Sequence, residues 1–142
     1  MDKIKNYSLY DSSNSVKLRE NFYSYDNLAH GVAPSKGSLT EKEDWLDGDT
    51  NPETIYGYDD NGNLLNETDP NGNTIKYVYG IRDSTNTFVD RQINAKGHIT
   101  NYNYDLGTGN LLWVVDSNSI VSNNTYDVFN RKISEIREYD NN

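Results

Sequence analysis

The sequence predicts an all-β fold: tandem antiparallel β-hairpins joined into a curved or spiralling sheet. Three observations predict it. A Tyr-x-Tyr pair recurs along the chain, turn-forming Asp, Asn, Pro and Gly stand between successive pairs, and side chains alternate with a period of two rather than 3.6. All three are visible in YGYDDNGNLLNETDPNGNTIKYVYG, residues 56–80, which begins and ends on the same aromatic phrase with two Asn-Gly steps between.

Composition agrees. Hydrophobic residues make up 34% of the 142, below the roughly 45–50% of an ordinary globular domain, whereas there are 12 Tyr. Tyrosine is the main bulky residue available for packing. The net charge of -9 disperses 13 basic residues among 22 acidic ones, so no cationic stripe exists to displace counterions from a nucleic acid. Without cysteine there is neither a disulfide framework nor a thiolate metal site. The opening MDKIKNYSLYDSS lacks the apolar stretch of a secretory signal, and no apolar run approaches the ~18 residues of a membrane span.

The Tyr-Asp step locates the units at Tyr10-Asp11, Tyr25-Asp26, Tyr58-Asp59, Tyr104-Asp105, Tyr126-Asp127 and Tyr139-Asp140, with a degenerate copy at Tyr79-Gly80. In the clearest unit, Tyr56 and Tyr58 end a strand, DDNG turns the chain, NLLNETD runs back, DPNG turns again and NTIKYVY, carrying Tyr77 and Tyr79, begins the next copy. Asp59 and Asp69 open these turns with carboxylates that reach backbone N–H groups two residues on, Pro70 presets φ, and Gly62 and Gly72 supply a positive φ at the exit. Gly97, Gly109 and Asn130 hold the same place in later turns. GSLTEKEDWLDG reads as a return strand rather than a helix, preceded by an extended loop over 27–37. About twelve short strands and no helix are expected. Open twisted sheets rarely pass ~10 strands without curling or continuing. Since the chain starts part-way into a unit and stops on IREYDNN, it reads as a slice of a longer array.

The pattern Tyr-x-Tyr-Asp-x-x-Gly-Asn-Leu, then Asp-Pro-x-Gly-Asn, then another Tyr-x-Tyr, as it stands from Tyr56 to Tyr79, resembles the YD repeat of the RHS family. ITNYNYDLGTGNLLWVVD, residues 99–116, is a second match. That family includes bacterial polymorphic-toxin proteins, wall-associated WapA-type proteins, B and C components of insecticidal toxin complexes, and teneurin ectodomains. The resemblance spans residues 1–142 as a single array of about five to six units, weakest over 1–20. It implies a piece of an RHS-type β-shell, secreted or at the cell surface, whose partners are neighbouring repeats of a larger chain and an enclosed C-terminal toxin or effector polypeptide. Three positions depart from the pattern: Gly80 replaces Asp, Asn124 replaces the first Tyr of a pair, and Asn130 replaces the turn Gly. The family's self-cleaving segment is not visible.

Catalytic and metal readings compete with this structural one. ETDPNG, residues 67–72, imitates the start of an EF-hand loop, but the twelfth position is Val78 where a bidentate Glu is required. Carboxylates such as Asp59 with Asp60, or Glu41, Glu43 and Asp44, supply no selected pair for glycoside hydrolysis. His30 falls in the long loop and His98 at a position held by Asn73 and Asn110 in other copies, which suits neither a base nor a zinc ligand. No catalysis and no cofactor are expected of this segment. The alternative function is recognition of carbohydrate or a surface receptor through the Tyr- and Asn-rich face, with Tyr102, Tyr104, Trp45 and Trp113 as contact candidates. Sequons at Asn6, Asn66 and Asn123 do not discriminate between the readings.

Overall fold

The computed structural model describes residues 3–139, the last by its backbone alone, so Asp140 of the final Tyr-Asp step lies outside the described residues. Eleven strands and no helix occur among them. They are β1 (Asn6–Tyr10), β2 (Lys17–Tyr25), β3 (Leu39–Asp44), β4 (Glu53–Tyr58), β5 (Leu64–Thr68), β6 (Thr74–Val78), β7 (Arg91–Ile93), β8 (Ile99–Tyr104), β9 (Leu111–Val115), β10 (Ile120–Tyr126) and β11 (Lys132–Tyr139). The count is one below the sequence expectation, with residues 79–90 forming a loop.

The chain divides into two compact units, Met1–Thr74 and Ile75–Asn142. In the first, β1 to β5 pair in sequence order, each antiparallel to the next. In the second, β6 to β11 do the same. Such a meander follows from the turn chemistry, because short polar turns join only antiparallel neighbours.

One turn design recurs. The Asp59 carboxylate accepts the N–H of Asn61 at 2.9 Å and of Asn63 at 2.8 Å through one oxygen. Asp69 does the same for Asn71 and Asn73, Asp116 for Asn118 and Ile120, and Asp127 for Phe129 and Arg131. Asn94 shows that the charge is dispensable, its amide oxygen accepting from Lys96 at 2.9 Å and His98 at 3.0 Å. The residue three places after the acid takes φ > 0: 88° at Gly62 and 81° at Gly72, but also 61° at Asn130 and 60° at Ser119. Glycine is favoured there because a Cβ in the left-handed region crowds the following carbonyl.

A second device recurs beside the turns. Pairing slips by one residue at Leu9/Tyr10, Ser24/Tyr25, Gly57/Tyr58, Asn103/Tyr104 and Thr125/Tyr126. In every case the slip falls immediately before the tyrosine that precedes the turn acid. An extra residue on one strand bends it and increases the local twist, so each of these five Tyr-Asp steps is also a built-in bend.

Neither unit has a conventional core. Among the described residues no hydrophobic side chain is buried, and the buried polar ones are Glu20, Asn21, Ser24, Thr40, Asp83 and Asp90. Tyr56, Tyr58, Tyr102 and Tyr104 are half-buried, and burial raises their phenol pKa values, as expected of rings that serve as the packing mass.

Candidate functional site

The most organised side-chain cluster lies in the second unit, where the repeat departs from its pattern. With Gly80 in place of the turn acid no carboxylate seeds a short turn, and the chain makes a loop over 79–90 between β6 and β7. Asp90, at the far end, takes over: it is 4% exposed and accepts the N–H of Ile81 at 2.7 Å and of Arg82 at 3.3 Å. Asp83, 3% exposed, accepts from Thr85 N–H at 2.9 Å and Thr87 N–H at 3.0 Å. Its carboxyl is held below the usual range, first by the Thr85 hydroxyl and then by these backbone donors.

Two side chains then fasten the loop to the strands. The Arg82 guanidinium sits 4.9 Å from the Trp113 ring, 3.6 Å from the Asp90 carboxylate, and donates to the Tyr102 carbonyl at 3.4 Å. Phe88 stacks on Tyr104 at 4.9 Å between centroids, and Tyr104 stacks in turn beside Tyr102 at 6.5 Å. The Tyr102 hydroxyl donates to Gln92 Oε1 at 2.8 Å. Opposite residues share a face, and β8 pairs with β9 as Tyr102 with Val114 and Asn103 with Trp113. The register therefore sets Trp113 on the face opposite Tyr102, and the loop engages both faces.

Of the four aromatic contact candidates, Tyr102 and Tyr104 come together, with Phe88 on one of them. Trp113 is on the other face under Arg82, and Trp45 belongs to the first unit with Lys17 Nζ 4.9 Å from its ring. Tyr102 and Trp113 therefore do not share a platform.

The first unit ties its own long loop by a single carboxylate. Asp26 accepts the N–H groups of Ser35, Lys36, Gly37 and Ser38 at 2.7 to 3.0 Å. Its pKa falls to about 2, chiefly through Gly37, so it is fixed as an anion. A cleft of about 430 Å³ beside it is lined by Lys36, Thr40, Tyr56, Tyr58, Asp59 and Asp60. Two of its three acids, Asp26 and Asp59, are committed to backbone donors, which lower rather than raise their pKa values. A general acid requires the opposite shift.

One histidine falls in each unit. His30 meets Phe22 edge-on at 5.4 Å, while His98 lines an open cleft of about 510 Å³ with Arg91, Asn101 and Asp116. Among the described residues no three His, Asp or Glu side chains are grouped to hold a metal. The repeat-defining residues accordingly sort by mechanical role: Asp59, Asp69, Asp105 and Asp127 seed turns, Gly62, Gly72, Gly97 and Gly109 exit them with positive φ, and Tyr25, Tyr58, Tyr104 and Tyr126 mark bends.

Asp83, Asp90, Arg82 and Phe88 escape the sequence reading because none of them stands at a Tyr-Asp step or at the turn positions that follow one. The usable signal was the failure of Tyr79-Gly80 to supply a turn acid, followed by an isolated Phe in a polar stretch.

Comparison with known proteins isolates one stretch. Residues 54–83 match the family model described as RHS Repeat. That stretch is similar to an RHS repeat. No curated protein matches the chain. Among solved structures it is similar to a chain of the Photorhabdus luminescens Tc holotoxin pore, at 15% identity and a TM-score of 0.39, covering 95% of this chain and 9% of that one. It thus spans about a tenth of that neighbour's length. The RHS repeat takes in β4, β5, β6 and the start of the loop, so it includes the two best-formed Asx turns and the bend at Tyr58.

Proposed function

We propose that this chain is a structural segment of a secreted or cell-surface RHS-type protein, forming part of a wall that encloses or displays a C-terminal toxin or effector, with no catalysis of its own. The observation that carries the reading is the recurrence, far outside residues 54–83, of the same turn and the same bend that the RHS repeat contains. A bend repeated at five Tyr-Asp steps gives a meander a consistent curvature. The surface supports the reading further. Tyr7, Leu9, Ile55, Leu65, Ile99 and Ile136 are exposed among the described residues, from 37% at Leu65 to 53% at Tyr7 and Ile136. On β1 the exposed Tyr7 and Leu9 share one face, which further polypeptide would cover.

Electron microscopy of the full gene product tests the proposal. Strands of residues 6–139 found in the wall of a hollow particle with polypeptide density inside would uphold it. The same strands forming a free ribbon with nothing enclosed would overturn it.

A further inference from the structure

The two Asn-Gly steps, Asn61-Gly62 and Asn71-Gly72, carry a chemistry that the structural role does not use. In an Asn-Gly sequence the glycine nitrogen, unhindered by a side chain, attacks the asparagine Cγ. A C–N bond forms, ammonia leaves with the side-chain nitrogen, and the resulting succinimide takes up water at either carbonyl to give aspartate or isoaspartate. Water in and ammonia out balance the reaction, and no oxidant or catalyst is needed. Isoaspartate adds a backbone methylene, which a turn held by bonds two and four residues from its acid cannot absorb.

Both asparagines are exposed, so burial does not protect them. The turn does. Gly62 N–H donates to the Asp59 carbonyl at 3.1 Å and Gly72 N–H to the Asp69 carbonyl at 2.9 Å. The neighbouring amides are held as well: Asn61 and Asn63 N–H by the Asp59 carboxylate, Asn71 and Asn73 N–H by that of Asp69. The Asn63 and Asn73 side chains brace the second carboxylate oxygen at 3.0 and 2.9 Å. Ring closure needs the Asn-Gly peptide to rotate until the glycine nitrogen faces Cγ, and that rotation breaks the glycine's bond and strains those on either side. We propose that Asn61 and Asn71 are latent deamidation sites, kept unreactive by the carboxylate-clamped turns in which they sit.

The full chain is incubated in mildly alkaline buffer, folded and in urea, and both sites are followed by peptide mass spectrometry with isoaspartate detection. Reaction through local opening predicts rates at least roughly tenfold slower in the folded chain at both sites. Equal rates folded and unfolded would overturn the proposal. Asp69→Ala should accelerate Asn71 several-fold and leave Asn61 unchanged, while Asp69→Asn should retain protection, since Asn94 clamps its turn with an amide. No acceleration at Asn71, equal acceleration at both sites, or identical behaviour of the Ala and Asn variants would overturn the clamp.

Discussion

Phe88 lies nearly parallel to Tyr104, with planes 18° apart and centroids at 4.9 Å. Phe88 comes from the loop that replaces a tight turn, whereas Tyr104 is the second tyrosine of a repeat pair and ends β8. The stack joins the least regular part of the second unit to its most regular part, and a repeat that lost its turn acid is thereby kept in the array.

Removing that contact should be felt beyond the loop. Phe88→Ala loses the stack and a half-buried ring, and is expected to lower stability by about 1–3 kcal/mol in urea unfolding, with Phe88→Leu losing less. Protease cleavage within residues 79–90 should rise in parallel. Unchanged unfolding and cleavage would mean that the loop is anchored by Arg82, Asp83 and Asp90 without the stack.

The left-handed turn positions give a signed pair of predictions. Ser119 has φ of 60° where Gly72 has 81°. Ser119→Gly should therefore stabilise by about 0.5–1 kcal/mol, the relief of left-handed strain exceeding the extra entropy of the unfolded chain. Gly72→Ala should destabilise by about 1 kcal/mol, although a Cβ at Gly72 would meet nothing within 4 Å. Because space is available, any cost measured by chemical denaturation belongs to the backbone.

The sequence made the hairpins legible because both of their determinants are local. An acid two residues before a backbone donor and a glycine at the exit are encoded within five positions, and even Asn130 was readable as a left-handed residue. Ser119 was not, because serine has no left-handed preference and adopts φ of 60° under the closure of a turn already specified by Asp116. The bends at Tyr58 and Tyr104 were hidden for a different reason: a one-residue slip is a property of two strands, and neither strand's period reveals it. The placement of Arg82 over Trp113 is less local still, joining residues 31 positions apart in a loop and a strand. The four aromatic contact candidates illustrate the limit, since the alternation that sets Tyr102 and Tyr104 on one face is local to β8, whereas the register that sets Tyr102 and Trp113 on opposite faces is not.

Acid should unfold this chain over a narrow window. Asp26, held first by Gly37 N–H, and Glu20, held first by Lys17, both have pKa values near about 2, from ordinary values of 3.8 and 4.5. Asp59, Asp69, Asp83, Asp105 and Asp127 are shifted in the same direction by their turn bonds. A carboxyl depressed in the folded state contributes its stability in full above its unfolded pKa and loses it as pH falls through the folded one. The melting temperature is therefore expected to be level down to about pH 5 and to fall between about pH 4 and pH 2. Asp26→Asn should be less stable near neutrality and lose less over that window. A wild-type melting temperature that stays level to pH 2 would contradict the turn carboxylates' role.

Arg82 provides a spectroscopic check on the loop, because its guanidinium lies 4.9 Å from the ring of one of only two tryptophans. In a Trp45→Phe background the emission reports Trp113 alone. Arg82→Ala should expose that ring to water, shift its emission to the red and lower stability by about 0.5–2 kcal/mol, the range for a partly desolvated cation over an aromatic face. Arg82→Lys keeps the charge and the reach toward Asp90 but loses the flat guanidinium that covers the indole, so an intermediate shift is expected. If lysine restored the wild-type emission fully, the ion pair with Asp90 at 3.6 Å, rather than stacking, would be what holds the loop on that face.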